Sequence, residues 1–198
     1  MINSGLLIQN LEQYDGLIFD MDGTVVDSMP LHFNAWSAVA NEYQLPFNRE
    51  RFYQLGGVPT LETLQILSKE ANREIDLAAA KKMKETLYRA QLHQVRPIDA
   101  IVDVIHHFFS TKPMAIATGS SRIGAQKVLT QLDLLKFFDA VVTADDVVNH
   151  KPAPDVFVEA ARQLGLKPEA CAAFEDTDIG LEAIRRANMF AVDVRTIL

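Results

Sequence analysis

The chain has 198 residues, with 26 acidic and 19 basic side chains and a formal net charge of −7. Hydrophobic residues make up 48% and charged residues 23%, a globular composition that excludes a disordered, collagen-like or low-complexity chain. The acidic balance shows no sign of the basic face that nucleic-acid binding requires, so we expect no nucleic-acid partner.

The cysteine content and the apolar runs indicate the compartment. A single cysteine cannot form an internal disulfide, and no apolar stretch approaches the roughly 18 residues of a membrane span. The first residues lack the basic start and the long apolar segment of a signal peptide. We therefore expect a cytoplasmic protein with no membrane partner, in which Cys171 is a buried thiol.

Short apolar runs predict β-strands, because each is too short for a helix and most are apolar on both faces. They lie at residues 16–19, 114–117, 140–142, 172–174 and 190–192. Helical patterns lie between or after the later runs, at residues 123–132, 154–164 and 180–188. Gly165 is expected to cap the second of these helices. The alternation predicts an α/β fold with a doubly wound parallel sheet.

One interval breaks this alternation. Residues 28–95 contain only helical patterns, at 31–43, 60–70 and 77–92. An insertion of about 65 residues is too long for an ordinary connection in such a sheet. We predict a separate helical cap at residues 28–95, inserted into a core of residues 1–27 and 96–198. Since ligands bind at the carboxyl ends of strands in open α/β sheets, a cap after the first strand would sit over the site.

The strongest chemical signal is an Asp-x-Asp-Gly-Thr motif directly after the first strand. The strand places Asp20 at its carboxyl tip, Asp22 can face the same side, and Gly23 permits a tight bend. Two carboxylates this close repel each other, which favours a bound cation or a raised pKa on one of them. A simple turn after a strand also uses Asp and Gly and is the alternative for this stretch alone.

Two further stretches suit an anionic ligand. Thr118, Gly119 and Ser120 follow the second strand and precede a helix, where a hydroxyl and backbone amides can bind an anion. The same residues also suit an ordinary helix cap. Lys151 follows the third strand within a Lys-Pro-Ala-Pro-Asp segment, although a lone lysine is usually solvated.

An acidic cluster ends the fourth strand. Glu175, Asp176 and Asp178 lie within four residues, and carboxylate oxygens suit a hard cation such as Mg²⁺. The alternative is that these acids complement the dipole of the following helix.

The order of these motifs, an acid pair, a hydroxyl, a lysine and a second acid pair at successive strand ends, resembles the haloacid dehalogenase (HAD) superfamily of phosphatases and phosphomutases. The resemblance covers essentially the whole chain, and the helical insertion lies where this family carries its C1-type cap. It implies a Rossmann-like core, a Mg²⁺ cofactor and phosphoryl transfer through an aspartyl phosphate. Family dehalogenases lack the second aspartate of the first motif, so dehalogenation is not expected.

The resemblance also implies roles for single residues. Asp20 would attack phosphorus, and Asp22 would protonate the leaving oxygen and then deprotonate water. Thr118 and Lys151 would hold phosphoryl oxygens. The implied Mg²⁺ ligands are the Asp20 carboxylate, the Asp22 backbone carbonyl, Asp176 and, directly or through water, Glu175. The implied substrate-binding residues are His32, Gly57, Lys84, Gly119 and Ser120.

The detailed layout is most similar to the β-phosphoglucomutase-like subgroup, which includes small bacterial sugar-phosphate phosphatases of the fructose-1-phosphatase type. Similar mutases carry a cap arginine after a Gly-Val pair, where this chain has Thr60, and the alternative is that Arg49, Arg51, Arg73 or Arg89 takes its place. The resemblance therefore implies a phosphatase acting on a small phosphorylated sugar, such as fructose 1-phosphate or 6-phosphogluconate. Interconversion of β-glucose 1-phosphate and glucose 6-phosphate is the alternative. We expect a monomer, because a cap must move.

A different class also combines acids, a hydroxyl and a lysine around Mg²⁺ on a doubly wound sheet, namely the receiver domains that act as phosphorylation switches. Their phosphoacceptor lies on the middle strand, without this first motif and without a cap. A switch, or a catalytically inactive binding protein, is therefore kept as the alternative from outside the enzymes. Turnover of a phosphate ester would exclude both.

Overall fold

The structure, a computed structural model, describes residues 4–197. Residues 1–3 and 198, the outer ends of the predicted core, lie outside the described residues. The chain divides into two units, the first formed by Met1–Asp27 with Arg96–Leu198 and the second by Ser28–Val95. The first unit is thus discontinuous in sequence, because the second unit is inserted into it.

A five-stranded parallel sheet forms the centre of the first unit. The strands of the chain are β1 (Gly16–Phe19), β2 (Val26–Asp27), β3 (Arg96–Pro97), β4 (Met114–Ala117), β5 (Ala140–Val142), β6 (Cys171–Glu175) and β7 (Phe190–Asp193). The order in the parallel sheet is β5-β4-β1-β6-β7, and β2 pairs with β3 in an antiparallel ladder. Every residue of β1, β4 and β6 is buried, as expected for parallel strands covered on both faces.

The helices are α1 (Ser4–Leu11), α2 (Met29–Tyr43), α3 (Arg49–Gln54), α4 (Thr60–Glu70), α5 (Leu77–Gln91), α6 (Asp99–Phe108), α7 (Arg122–Gln131), α8 (Asp155–Gln163) and α9 (Asp178–Arg186). Short 3₁₀ turns lie at Leu92–Gln94, Leu135–Phe137, Ala144–Asp146, Pro168–Ala170 and Val194–Thr196. The predicted doubly wound parallel α/β fold is confirmed. Each predicted strand or helix lies within two residues of its observed bounds, whereas α1, α3, α6 and the β2–β3 pair were not predicted.

The core of the first unit fixes the strand ends at which the predicted site lies. On one side of the sheet, Ile18 and Ala173 pack in a buried cluster with Phe157 of α8 and Ile184 of α9. Burying one large apolar side chain contributes about 1.5–3 kcal/mol, so these few contacts hold β1 and β6 firmly in register. Gly165, at φ +72°, follows the end of α8 as the sequence predicts.

The second unit has its own apolar core. Trp36 and Val39 of α2 pack in one buried cluster with Phe52, Leu64 and Leu67 from α3 and α4. Helix α3 is capped by the side chain of Asn48 and helix α5 by that of Asp76, each accepting a backbone N–H of the first turn. An independent core and capped helices explain why this insertion forms a unit of its own.

Within the described part of the chain, none of the helices combines the length and the apolar character that crossing a membrane requires.

Candidate active site

The carboxyl end of the central strand presents Asp20. Its backbone N–H donates to the carbonyl of Phe174 at 3.0 Å, which extends the β1–β6 ladder by one residue and fixes the aspartate at the sheet edge. Gly23, three residues on, adopts φ +89°, a conformation that side chains disfavour. A Cβ atom at Gly23 would also lie 2.2 Å from Oδ2 of Asp176. The turn therefore requires glycine for two reasons, its backbone conformation and the lack of space for a side chain.

Lys151 joins two of the predicted acids. Its Nζ donates to Oδ1 of Asp20 at 2.7 Å and to Oε2 of Glu175 at 2.6 Å, and all three side chains are buried. The ammonium group also lies over the ring of Phe157, 4.8 Å from its centroid. Burial alone would lower the pKa of Lys151, but the charges of Asp20 and Glu175 outweigh burial and hold it above its ordinary value. Lys151 is therefore a permanent positive charge at this edge.

Glu175, the last residue of β6, is held on both carboxylate oxygens. Lys151 bonds to Oε2, whereas Oε1 accepts the backbone N–H of Asp176 at 3.1 Å and the backbone N–H and hydroxyl of Thr177 at 2.9 and 2.8 Å. Gly180 of α9 passes so close that a Cβ there would lie 2.0 Å from the carboxyl carbon of Glu175. This carboxylate has one position, set by its neighbours.

Three carboxylates converge at this point. Oxygen atoms of Asp20, Glu175 and Asp176 all lie within 4.8 Å of one another. Burial and the charge of Glu175 raise the pKa of Asp20 to about 7. Burial and the charges of Asp20 and Glu175 raise the pKa of Asp176 to about 9.

The charge balance of this group fits a divalent cation. Three carboxylates and the ammonium group of Lys151 leave two negative charges in a buried place, which is costly unless protons or a cation neutralise them. Oxygen donors of this kind suit hard cations. The residues present therefore fit a divalent metal of the Mg²⁺ type.

A second linked group lies at the ends of β1 and β4. Thr118 is buried, its N–H donates to the carbonyl of Val142 at 2.9 Å, and its hydroxyl oxygen accepts the N–H of Ser120 at 3.0 Å. The hydroxyl of Ser120 donates to Oδ2 of Asp22 at 2.6 Å. Gly119 between them is exposed, and apart from its own and its two neighbouring residues no atom of the described residues would lie within 4 Å of a Cβ at this position. The structure thus brings Asp22, Thr118 and Ser120 together.

The predicted cap residues His32 and Lys84 meet within the second unit. Nζ of Lys84 lies 3.1 Å from Nδ1 of His32, and Lys84 is buried. The His32 ring stacks on Tyr88 at 3.9 Å, and the ammonium group lies 5.7 Å from the ring centroid of Trp36. Gly57 lies in the exposed turn after α3 at φ +83°.

Some contacts at the site were not predicted from the sequence. The Asp178 side chain is 88% exposed and pairs with Arg195 at 2.9 Å, and it does not belong to the carboxylate group. Thr24, the last residue of the first motif, has its hydroxyl 3.5 Å from Oδ1 of Asp176. Thr24 was visible in the motif, but no local signal ties Asp178 to a residue 17 positions away.

The fold and the site define an α/β enzyme with a Rossmann-like core and an acid–lysine centre at the carboxyl edge of its parallel sheet. The family model of the haloacid dehalogenase-like hydrolases matches residues 17–194. The chain belongs to this hydrolase family, and the predicted membership is confirmed.

Comparisons with individual proteins support the β-phosphoglucomutase-like subgroup. Fructose-1-phosphate phosphatase of Escherichia coli is 41% identical over 187 residues, covering 94% of this chain and 99% of the relative. β-Phosphoglucomutase of Bacillus subtilis is 32% identical, covering 90% of this chain and 82% of the relative. The crystal structure of β-phosphoglucomutase from Clostridium difficile superposes with a TM-score of 0.82 at 25% identity, covering 91% of this chain and 84% of that one.

Proposed function

We propose that the chain is a Mg²⁺-dependent phosphatase of small sugar phosphates, with fructose 1-phosphate or 6-phosphogluconate as the leading substrates. The observation that carries this proposal is the buried group in which Lys151 bonds to Asp20 and Glu175 beside Asp176. The identity of 41% to a fructose-1-phosphate phosphatase, over 99% of that enzyme, supports the substrate class.

Asp20 is the proposed nucleophile. Its carboxylate attacks phosphorus, the bond from phosphorus to the sugar oxygen breaks, and the leaving oxygen takes a proton from Asp22. The products of this step are the sugar and an aspartyl phosphate on Asp20. Water then attacks phosphorus and gives its proton to Asp22, the bond to the Asp20 oxygen breaks, and inorganic phosphate leaves.

Positive charge must offset the repulsion between a carboxylate and a phosphate ester. Lys151 supplies one charge, fixed 2.7 Å from the Asp20 carboxylate, and the buried Thr118 hydroxyl is the proposed donor to a phosphoryl oxygen. When bound by Asp20, Asp176, the Asp22 carbonyl and Glu175, Mg²⁺ supplies further neutralisation of the phosphoryl oxygens as a Lewis acid.

The second unit is the proposed cap and the proposed source of sugar selectivity. The buried ammonium group of Lys84, beside His32 and two aromatic rings, supports this role because such a cation can bind the hydroxyls or the anionic group of a sugar phosphate. Gly57 in its exposed turn and Gly119 beside Thr118 give the backbone access to a ligand.

The test is Mg²⁺-dependent turnover of a panel containing fructose 1-phosphate, 6-phosphogluconate and β-glucose 1-phosphate, with free phosphate measured. We expect phosphate release by the wild type and a loss of roughly 10³-fold or more in Asp20→Asn, because an amide cannot attack phosphorus. Activity of Asp20→Asn close to that of the wild type would refute the nucleophile assignment. Lack of any turnover would favour a phosphorylation switch or a binding protein.

A mutase is the second candidate, favoured by the similarity to β-phosphoglucomutases. The phosphatase is preferred because Thr60, the first residue of α4, stands where similar mutases carry an arginine for a second phosphate. The same panel, primed with a trace of glucose 1,6-bisphosphate, decides between them. Formation of glucose 6-phosphate without phosphate release would establish the mutase.

A further inference from the structure

The hydrogen bond between Ser120 and Asp22 links two of the site motifs across 98 residues of sequence. The Ser120 hydroxyl donates to Oδ2 of Asp22 at 2.6 Å, within the range of O–H···O hydrogen bonds. One carboxylate oxygen held in this way fixes the rotation of the Asp22 carboxyl group about its last side-chain bond.

The position of Ser120 is itself set by the sheet. Its N–H donates to the hydroxyl of Thr118 at 3.0 Å, and its carbonyl accepts the N–H of Ala144 at 3.1 Å. Thr118 is anchored in turn by its backbone bond to Val142 on β5. Asp22 lies between β1 and β2 and forms an isolated β-bridge with Val26. The backbones of both residues are thus held, and the hydroxyl–carboxyl bond acts on the side chain of Asp22.

The neighbouring Ser121 has a different task. Its side chain caps α7 by accepting the N–H of Gly124 at 3.4 Å, and it is exposed. The two adjacent serines thus separate the capping of the helix from the contact with Asp22. Because the backbone bonds of Ser120 persist when its side chain is shortened, the hydroxyl can be removed without removing the helix cap.

We propose that Ser120 is a positioning residue that orients Asp22 to deliver its proton to the leaving oxygen. This inference rests on the proposed phosphatase function. It predicts that removal of the hydroxyl lowers activity most when the leaving group is a strong base. A sugar alkoxide leaves only when it is protonated, whereas p-nitrophenolate leaves without a proton.

The experiment compares kcat/KM for fructose 1-phosphate and p-nitrophenyl phosphate in the wild type and single variants. This constant reports the steps up to aspartyl-phosphate formation, before water attacks. For Ser120→Ala we expect a loss of about 10- to 100-fold on fructose 1-phosphate and under about 3-fold on p-nitrophenyl phosphate. Ser120→Thr keeps a hydroxyl and should recover most of the loss. Ser121→Ala, the matched control, should leave both constants within about 3-fold.

A double-mutant cycle with Asp22→Asn completes the test. An amide cannot deliver the proton, so adding Ser120→Ala to Asp22→Asn should cost no further activity on fructose 1-phosphate. Equal losses on both substrates, or the same loss in the Asp22→Asn background, would show that the serine binds the phosphoryl group and would overturn the inference. A wild type without turnover on either substrate would instead refute the proposed function itself.

Discussion

Replacing Gly180 with alanine is expected to disrupt the group formed by Lys151 and its carboxylate neighbours, although Gly180 lies in helix α9, which carries no proposed catalytic side chain. Gly180 is the third residue of α9, and its N–H donates to the capping hydroxyl of Thr177 at 3.1 Å. On an ordinary helix the substitution would stabilise the protein, because alanine is favoured over glycine by up to about 1 kcal/mol. Here the added methyl group meets Glu175.

The size of the effect follows from the distances. The new carbon would lie 2.0 Å from Cδ and 2.1 Å from Oε2 of Glu175, whereas nonbonded carbon atoms keep about 3.5 Å apart. The carboxylate must move by about 1.5 Å, which breaks its bonds to Lys151 and Thr177. Removing one partner of a buried ion pair costs about 3–5 kcal/mol, and Lys151 here loses one of its two partners while it keeps Asp20. After the helical gain we expect a net loss of about 2–4 kcal/mol in the free energy of unfolding.

Thermal unfolding followed by circular dichroism measures this loss. For a chain of this length it corresponds to a melting temperature lowered by roughly 5–15 °C. Gly124→Ala is the matched control, because Gly124 is also the third residue of its helix and also donates to a capping hydroxyl. Its new methyl group would lie 3.3 Å from the exposed hydroxyl of Ser121, which can yield, so we expect no loss of stability. If Gly180→Ala melts within 2–3 °C of the wild type, roughly the effect of 1 kcal/mol, the reasoning about Glu175 is wrong.

Three further predictions concern Lys151, Asp146 and Cys171 of the first unit. Lys151→Met removes positive charge from the carboxylate group, so Mg²⁺ should raise the melting temperature of the variant more than that of the wild type; equal increases in a fluorimetric titration would contradict this. Partial burial acts to raise the pKa of Asp146, but hydrogen bonding, chiefly from Arg122, outweighs it and holds the pKa below 3.8. The resulting stability is present above pH 3.8 and is lost as the pH falls through the lower folded-state pKa. The free energy of unfolding, measured with urea at a series of acidic pH values, should therefore fall less steeply with pH in Asp146→Asn than in the wild type. An unchanged pH dependence would refute the assignment. Burial raises the pKa of Cys171 to about 11, so its thiol should react with Ellman's reagent at pH 8 roughly 100-fold more slowly in the folded than in the urea-unfolded protein; similar rates would show an accessible thiol.

The parallel sheet could be predicted because its three central strands are buried on both faces. The run Gly16–Phe19 is apolar throughout and fully buried, and so it stands out from the surrounding sequence. Its position before Asp20 then placed the first motif at a sheet edge, and the other motifs followed by the same rule. The buried Cys171 was predicted from its apolar neighbours for the same reason, and burial is what the structure shows.

Helix α6 was missed although its pattern is present in the sequence. Its buried residues Ile101, Val104, Ile105 and Phe108 follow the i, i+3, i+4, i+7 spacing of an amphipathic helix. Helix α1 has a weaker amphipathic pattern, because among its described side chains only Leu7 and Leu11 are buried.

The side-chain bonds of the site could not be predicted, because they join residues that only the fold brings together. Ser120 was predicted as a ligand-binding residue, and nothing in its neighbourhood indicates a bond to Asp22. Asp178 was interpreted as part of a cation site or as an acid that complements the helix dipole, yet Arg195 reaches it from the turn after β7. Sequence spacing predicts which residues share an edge of the sheet, and packing decides which of them pair.

The antiparallel pair β2–β3 sets Val26 opposite Pro97 and Asp27 opposite Arg96, so the chain leaves and re-enters the first unit on neighbouring strands. An inserted segment whose ends are held side by side can change in length at little entropic cost, because the cost of closing a loop grows only with the logarithm of its length. Selection can therefore lengthen, shorten or exchange residues 28–95 without changing the strand order or the buried acids and lysine. Under the proposed function, a lineage built on this plan can acquire a new substrate preference by replacing one segment, while it inherits the reaction chemistry unchanged.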